Sequence, residues 1–203
     1  NTPAPAAGTL TVHYIDVGQG DAVAIRTPRN RWLLVDAGPR GRDYDAGERR
    51  VVPFFRARGV TRIELMVLTH PDMDHIGGAP AILRRLRVGH VLEPGLPAGK
   101  ELYVEMLGTV EERGARWLPA REGRSLRIDD VEVTFLWPDS VAVNGAEANE
   151  ASAVVLVRYG EFTLLLTGDV STEVEDRLIR RYGADLQADV LKAGHHGSLT
   201  STS

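Results

Sequence analysis

The chain has 203 residues, 43% of them hydrophobic, a net charge of −4 and no cysteine. That length suits one sizeable core, held in a single domain or one compact two-part domain. The missing thiols exclude disulfide scaffolds, thiolate zinc sites and cysteine nucleophiles, so any metal must rest on His and carboxylate. No apolar run approaches the roughly 20 residues that cross a bilayer, so the chain reads as soluble.

Residues 1–8, rich in Pro and Ala, lack the basic start and apolar middle of a signal peptide and read as a linker ahead of a domain over 9–203. Alternating apolar residues predict strands over 9–16, 22–27 and 32–36, separated by Gly and Pro-Arg-Asn turns. A helix follows over 46–58, then a strand over 63–69, a helix over 79–87 and a short strand over 90–93. Further on, the pattern predicts a helix over 99–113, strands over 125–128, 131–136, 152–159 and 162–166, a helix over 172–182 and a last strand over 189–193. This order predicts sheets covered by helices.

Charge is unevenly spread. Residues 26–62 hold ten Arg against four acids, whereas 129–150 hold six acids and no base. The basic stretch suits phosphate contact, with Arg40 and Arg42 as candidates, and a solvated helix face explains it equally well.

The run Thr69-His70-Pro71-Asp72-Met73-Asp74-His75 packs four potential metal ligands into six residues directly after an apolar strand. Alternating His and Asp at such a turn can hold two divalent ions side by side, as in a binuclear hydrolase. Four other strand ends carry polar groups. Asp169 follows Leu164-Leu165-Leu166-Thr167-Gly168, where it either bridges two ions or caps the next helix. His195 and His196 end Val190-Leu191-Lys192-Ala193-Gly194, and neighbouring His residues point apart, so one binds metal while the other orients substrate. The turn Asp16-Val17-Gly18-Gln19-Gly20-Asp21 offers backbone N–H groups to an anion, and Asp36 ends another strand, placed to steady a ligand His.

The set DVGQGDA, LVDAG, LTHPDMDHIGG, LLLTGDV and LKAGHHGS resembles the metallo-β-lactamase superfamily over about residues 10–198. Within it the set is similar to the C-terminal domain of the ComEC family of DNA-internalisation competence proteins. The resemblance implies an α/β fold, a four-layer αββα sandwich, C-terminally truncated in this chain. It puts metal ligands on His70, Asp72, Asp74, His75, Asp169 and His195, with His196 in reserve and Asp36 supporting the ligand loop. Two departures stand out. Asp72 occupies a position usually held by His, and the His expected before Asp169 has no clear counterpart, Asn149 and Ser152 standing in that part of the chain. An oxygen-rich site of this kind favours Mn²⁺ over Zn²⁺, with Mg²⁺ also suited.

The resemblance further implies two divalent ions, no organic cofactor, and hydrolysis of the non-imported DNA strand during natural transformation. Asp72, Asp74 and His196 are the candidates for proton transfer, and Gln19, Ser198, Arg40 and Arg42 for substrate contact. The channel portion of the same full-length membrane protein is the implied partner, which places the chain at the outer face of the cell membrane. Hydrolysis of RNA, another phosphoester or a lactone by the same scaffold, or a catalytically weak DNA-binding or channel-gating module, are the alternative readings.

Overall fold

The computed structural model describes residues 8–96, 101–144, 147–199 and 201. The expected linker, except Gly8, and the first two residues of the helix expected over 99–113 lie outside these. Two sheets form the centre. In the first, strands β1 (Thr11–Tyr14), β2 (Val23–Arg26), β3 (Trp32–Val35), β4 (Arg62–Val67), β5 (Arg87–Glu93) and β6 (Arg116–Pro119) stand in sequence order. The first three run antiparallel and the rest are parallel to β3. In the second, β7 (Ser125–Ile128), β8 (Val131–Trp137), β9 (Val154–Tyr159) and β10 (Phe162–Leu166) form an antiparallel meander, and β11 (Val190–Lys192) adds parallel to β10.

Strand alternation sorts the apolar residues into layers. Val23, Ile25, Leu33, Val35, Leu65 and Val67 meet Val133, Phe135, Val155, Leu164 and Leu166 between the sheets. The intervening Ala24, Leu34 and Met66 face the opposite way. They pack under Phe55 of α1 (Val52–Arg56), Ile82 of α3 (Ala79–Arg85) and Met106 of α4 (Glu101–Glu112). On the far side, Leu156 and Leu165 pack under Val174 and Leu178 of α5 (Thr172–Tyr182). Each fully buried side chain of this size stabilises by about 1.5–3 kcal/mol, so three apolar layers fix an αββα order.

Some elements differ from the sequence reading. The helix expected over 46–58 is a π-helical turn, Gly47–Val51, that runs into α1. The helix expected to reach 87 stops at 85, and β5 begins at Arg87 because Gly89 lets the strand approach β4: a Cβ there would stand 2.7 Å from the Glu64 carbonyl oxygen. Strand β6 was not expected; its RWLP sequence is short, half-exposed and closed by proline. Strands β3, β4, β10 and β11 all end at one rim, where the carboxyl ends of parallel strands commonly present ligand groups.

Candidate metal centre

Three strand ends deliver the site. Strand β4 leads into Thr69 and His70, and the short helix α2 (Met73–Ile76) then carries Asp74 and His75 back beneath them. Strand β3 delivers Asp36, whose φ of 60° is held by the bonds its carboxylate accepts. It takes the Thr69 backbone N–H at 2.8 Å, the Thr69 hydroxyl at 2.9 Å and the Nδ1 of His75 at 2.9 Å. Strand β10 delivers Asp169. The ligand turn can lie this close to the helices because of its glycines: a Cβ on Gly78 would run into the Ala37 carbonyl and the backbone of Gly47.

His75 points its Nε2 at Asp169 Oδ2, 3.1 Å away, while Asp36 holds the opposite nitrogen. His70 lies against it with ring centroids 4.1 Å apart. The Nδ1 of His70 meets the hydroxyls of Thr69 at 3.1 Å and Ser152 at 3.2 Å. Its Nε2 faces Asp72 Oδ2 at 3.6 Å and Asp169 Oδ2 at 3.9 Å. His196 enters from the β11 side, its Nε2 3.3 Å from Asp74 Oδ2 and 3.5 Å from Asp169 Oδ2. Asp21 closes the group, its Oδ1 3.7 Å from His196 Nδ1. One donor atom each from Asp21, His75, Asp169 and His196 all lie within 4.8 Å of one another.

The electrostatics are sharply divided. Burial, joined by the charge of His75, lowers the pKa of His70 to about 4, so this imidazole is neutral at pH 7. Burial also opposes charge on His75, yet the carboxylates of Asp36 and Asp169 outweigh it and raise its pKa to about 10 in the absence of metal, so an ion bound at its Nε2 displaces a proton. Burial works against ionisation of Asp169, but the hydrogen bond and charge of His75 hold its carboxyl well below the usual range. Burial raises the pKa of Asp21, with Lys192 opposing.

The donor set fits a divalent ion. The Nε2 of His70 is buried without a hydrogen-bond partner. In the tautomer whose Nδ1–H is donated to the Thr69 or Ser152 hydroxyl, that nitrogen presents a lone pair beside carboxylate oxygens, which themselves only accept. A cation satisfies all three at once. Imidazole with carboxylate is a ligand mixture that zinc and manganese both accept.

The structure brings together His70, Asp72, Asp74, His75 and Asp169 as the sequence placed them, with Asp36 behind. Of the two late histidines, His196 enters the cluster, while the His195 ring lies with its centroid 6.3 Å from that of His196 and is inclined to it by 67°. Both hold left-handed backbone, φ 43° and 53°, so a tight turn aims them apart. Sequence reasoning missed Asp21 and Lys192 as members of the cluster, though both lie inside motifs it singled out. The close approach of Gly20 to the Asp74 carbonyl, which no side chain would allow, docks the first loop on the ligand turn.

Ser152 belongs to the stretch before Asp169 in which the further His was expected, and its hydroxyl also accepts the Asp169 backbone N–H at 3.2 Å. Ser152→Ala is therefore expected to weaken metal binding by about 10- to 100-fold, the usual cost of losing a residue that orients ligands. Calorimetric titration checks this, and unchanged affinity removes Ser152 from that role.

The substrate candidates are more scattered. Gln19 is exposed in the loop before β2, and Ser198 is half-buried just past the late histidines. Arg40 and Arg42 line a cleft of about 530 Å³ with Pro71, Met73, Glu101, Leu102 and Glu105 beside the ligand turn. Arg42 is exposed there, whereas Arg40 is engaged by Glu105 at 2.7 Å. Much of the basic stretch is neutralised. Arg29 pairs with Asp130 and Arg31 with Asp129, each at 3.2 Å, so it meets the acidic stretch directly. Arg62 pairs with Glu64 at 2.9 Å.

Two sheets between helices, with a His and Asp cluster at one rim, define a metallo-hydrolase class. The family model of the metallo-beta-lactamase superfamily matches residues 15–203, and the chain belongs to that superfamily, whose fold binds divalent metals. It is 31% identical over 203 residues to ComE operon protein 3 of Bacillus subtilis, covering 94% of this chain and 26% of that protein. It is 36% identical over 188 residues to competence protein ComA of Neisseria gonorrhoeae, covering 93% of this chain and 24% of that protein. The chain thus spans about a quarter of these relatives. Among solved structures, the subclass B3 metallo-beta-lactamase MEM-A1 from a soil metagenome superposes with a TM-score of 0.62 at 16% identity, covering 95% of this chain and 79% of that one. Among the described residues, no helix is long and apolar enough to cross a membrane.

Proposed function

We propose that this chain hydrolyses phosphodiester bonds of DNA in a metal-dependent reaction, as one part of a larger DNA-uptake protein. The observation that carries this reading is the Asp21, His75, Asp169 and His196 cluster, with His70 and Asp72 beside it, in a chain 31–36% identical to named competence proteins. Those residues and Asp74 would hold the metal. When bound, it supplies Lewis-acid chemistry and lowers the pKa of a water molecule. Manganese is favoured, because Asp72 replaces an imidazole with a hard oxygen.

The protein groups do the rest. Asp36 fixes the His75 ring, and Thr69 and Ser152 fix that of His70, so both imidazoles are aimed before substrate arrives. Whichever of Asp74, a third exposed and 3.3 Å from His196, Asp72, 3.6 Å from His70, and His196 the metal leaves unliganded is placed to relay a proton to the leaving oxygen. The cleft by Arg42 suits a phosphate backbone, with Gln19 and Ser198 as further contacts and His195 free to orient substrate. A soluble domain at the outer face of the membrane, beside the channel of its own protein, would degrade the strand that is not imported.

A substrate comparison tests the class. Metal-loaded wild type is expected to cleave DNA in preference to RNA and to leave lactones intact, and Asp74→Asn is expected to lose at least about 100-fold, the scale of a lost proton-transfer group. Faster lactone cleavage would replace the phosphodiesterase reading. Salt-sensitive DNA binding without cleavage, persisting in Asp74→Asn and Asp169→Asn, would make this a binding module.

A further inference from the structure

Lys192 ends β11 and is turned into the cluster, 9% exposed. Its ammonium donates to the Gly168 carbonyl oxygen at 3.0 Å, stands 3.5 Å from Asp169 Oδ1 and forms an ion pair with Asp21 Oδ2. A lysine ammonium is a compact, strongly hydrated charge, and taking it out of water is expensive unless its partners are fixed. Neither proton transfer nor substrate contact, as assigned above, uses it.

Its partners divide in a particular way. Asp169 turns Oδ2 toward His75, His196 and His70, and Oδ1 toward Lys192. Asp21 does the same, with Oδ1 toward His196 and Oδ2 on the ammonium. A carboxylate bridging two ions through both oxygens gives one to each. Here one oxygen of each carboxylate is already given to a protein cation. The cavity that Asp21, Asp36, Thr69, Gly168 and Lys192 share with the core residues Val23, Val35 and Leu166 measures about 10 Å³. That is at the lower limit for one water, and it leaves no space there for a hydrated second ion. Among the described residues one quartet, not two, has its donor atoms mutually within reach.

We propose that Lys192 takes the place of a second metal, so that the site binds a single divalent ion, with the ammonium holding Asp21 and Asp169 in position around it. This rests on the metal-dependent reading and revises the two-ion expectation. Lys192 is then a positioning residue that is present whether or not metal is bound.

Titration of Mn²⁺ into the metal-stripped chain, followed by calorimetry and electron paramagnetic resonance, reads the number of ions without reference to activity. Wild type is expected to bind one ion per chain and to show the six-line spectrum of an isolated Mn²⁺. Lys192→Arg keeps the charge and is expected to keep one ion. Lys192→Met frees two carboxylate oxygens and is expected to bind a second ion and give the spectrum of a coupled pair. Two ions with a coupled spectrum in wild type overturn the inference, as does one ion in folded Lys192→Met. If Lys192→Met does not fold, the wild-type count and spectrum decide alone. Absence of any Mn²⁺ binding in wild type overturns the metal-dependent reading itself, which separates the two failures.

Discussion

Asp169→Asn is expected to remove metal binding and cleavage while leaving the fold in place. Asp169 is 3% exposed and lies against four members of the cluster: His75 at 3.1 Å, His196 at 3.5 Å, His70 at 3.9 Å and Lys192 at 3.5 Å. Asn has nearly the same shape and preserves the backbone N–H bond to Ser152, so packing changes little. What is lost is the one negative charge that faces three imidazoles and an ammonium. Loss of a charged ligand is expected to cost metal affinity at least the roughly 100-fold seen when a ligand-supporting residue is removed. Calorimetry measures that loss and circular dichroism checks the fold. A folded variant that binds within threefold of wild type would remove Asp169 from the centre.

Asp36→Ala is expected to act mainly on stability. The carboxylate is 1% exposed and satisfies a backbone N–H, a hydroxyl and an imidazole, so truncation removes three buried hydrogen bonds at once. A loss of about 3–5 kcal/mol lowers the melting temperature by roughly 6–20 °C for a chain of this size. That is a large share of the roughly 5–15 kcal/mol by which domains are stable. Asp36→Asn keeps an acceptor for the Thr69 N–H and should lose clearly less. Thermal unfolding of the two variants checks the order; equal and small shifts would mean that the Asp36 bonds contribute little.

Fold and site were legible in the sequence to different depths. The strands that became β2, β3, β4, β9 and β10 are apolar runs bounded by Gly and Pro, and burial on both faces enforces what the pattern suggests. The helix over 172–182 is observed at those bounds because its apolar face meets β9 and β10. Strand β6 was not legible, since Arg116 and Trp117 are exposed and its pairing with β5 comes from a neighbour distant in sequence.

In the site, the ligand turn was legible because its four donors lie within six consecutive residues. The choice between His195 and His196 was not, because it depends on two left-handed residues in one tight turn. Asp21 and Lys192 were hidden for another reason. Their partnership joins residues 171 positions apart through the meeting of two sheets, and neither residue type signals metal by itself. The motifs containing them were visible, while the ion pair between them exists only in three dimensions.

The most direct test of the account is cleavage of end-labelled DNA, single- and double-stranded, by the metal-stripped protein before and after addition of Mn²⁺, Mg²⁺ or Zn²⁺. Cleavage is expected to be absent without metal, restored best by Mn²⁺, and lost in Asp74→Asn. Cleavage that is equal or greater with Zn²⁺ would contradict the manganese preference, and no cleavage with any ion would contradict the nuclease reading.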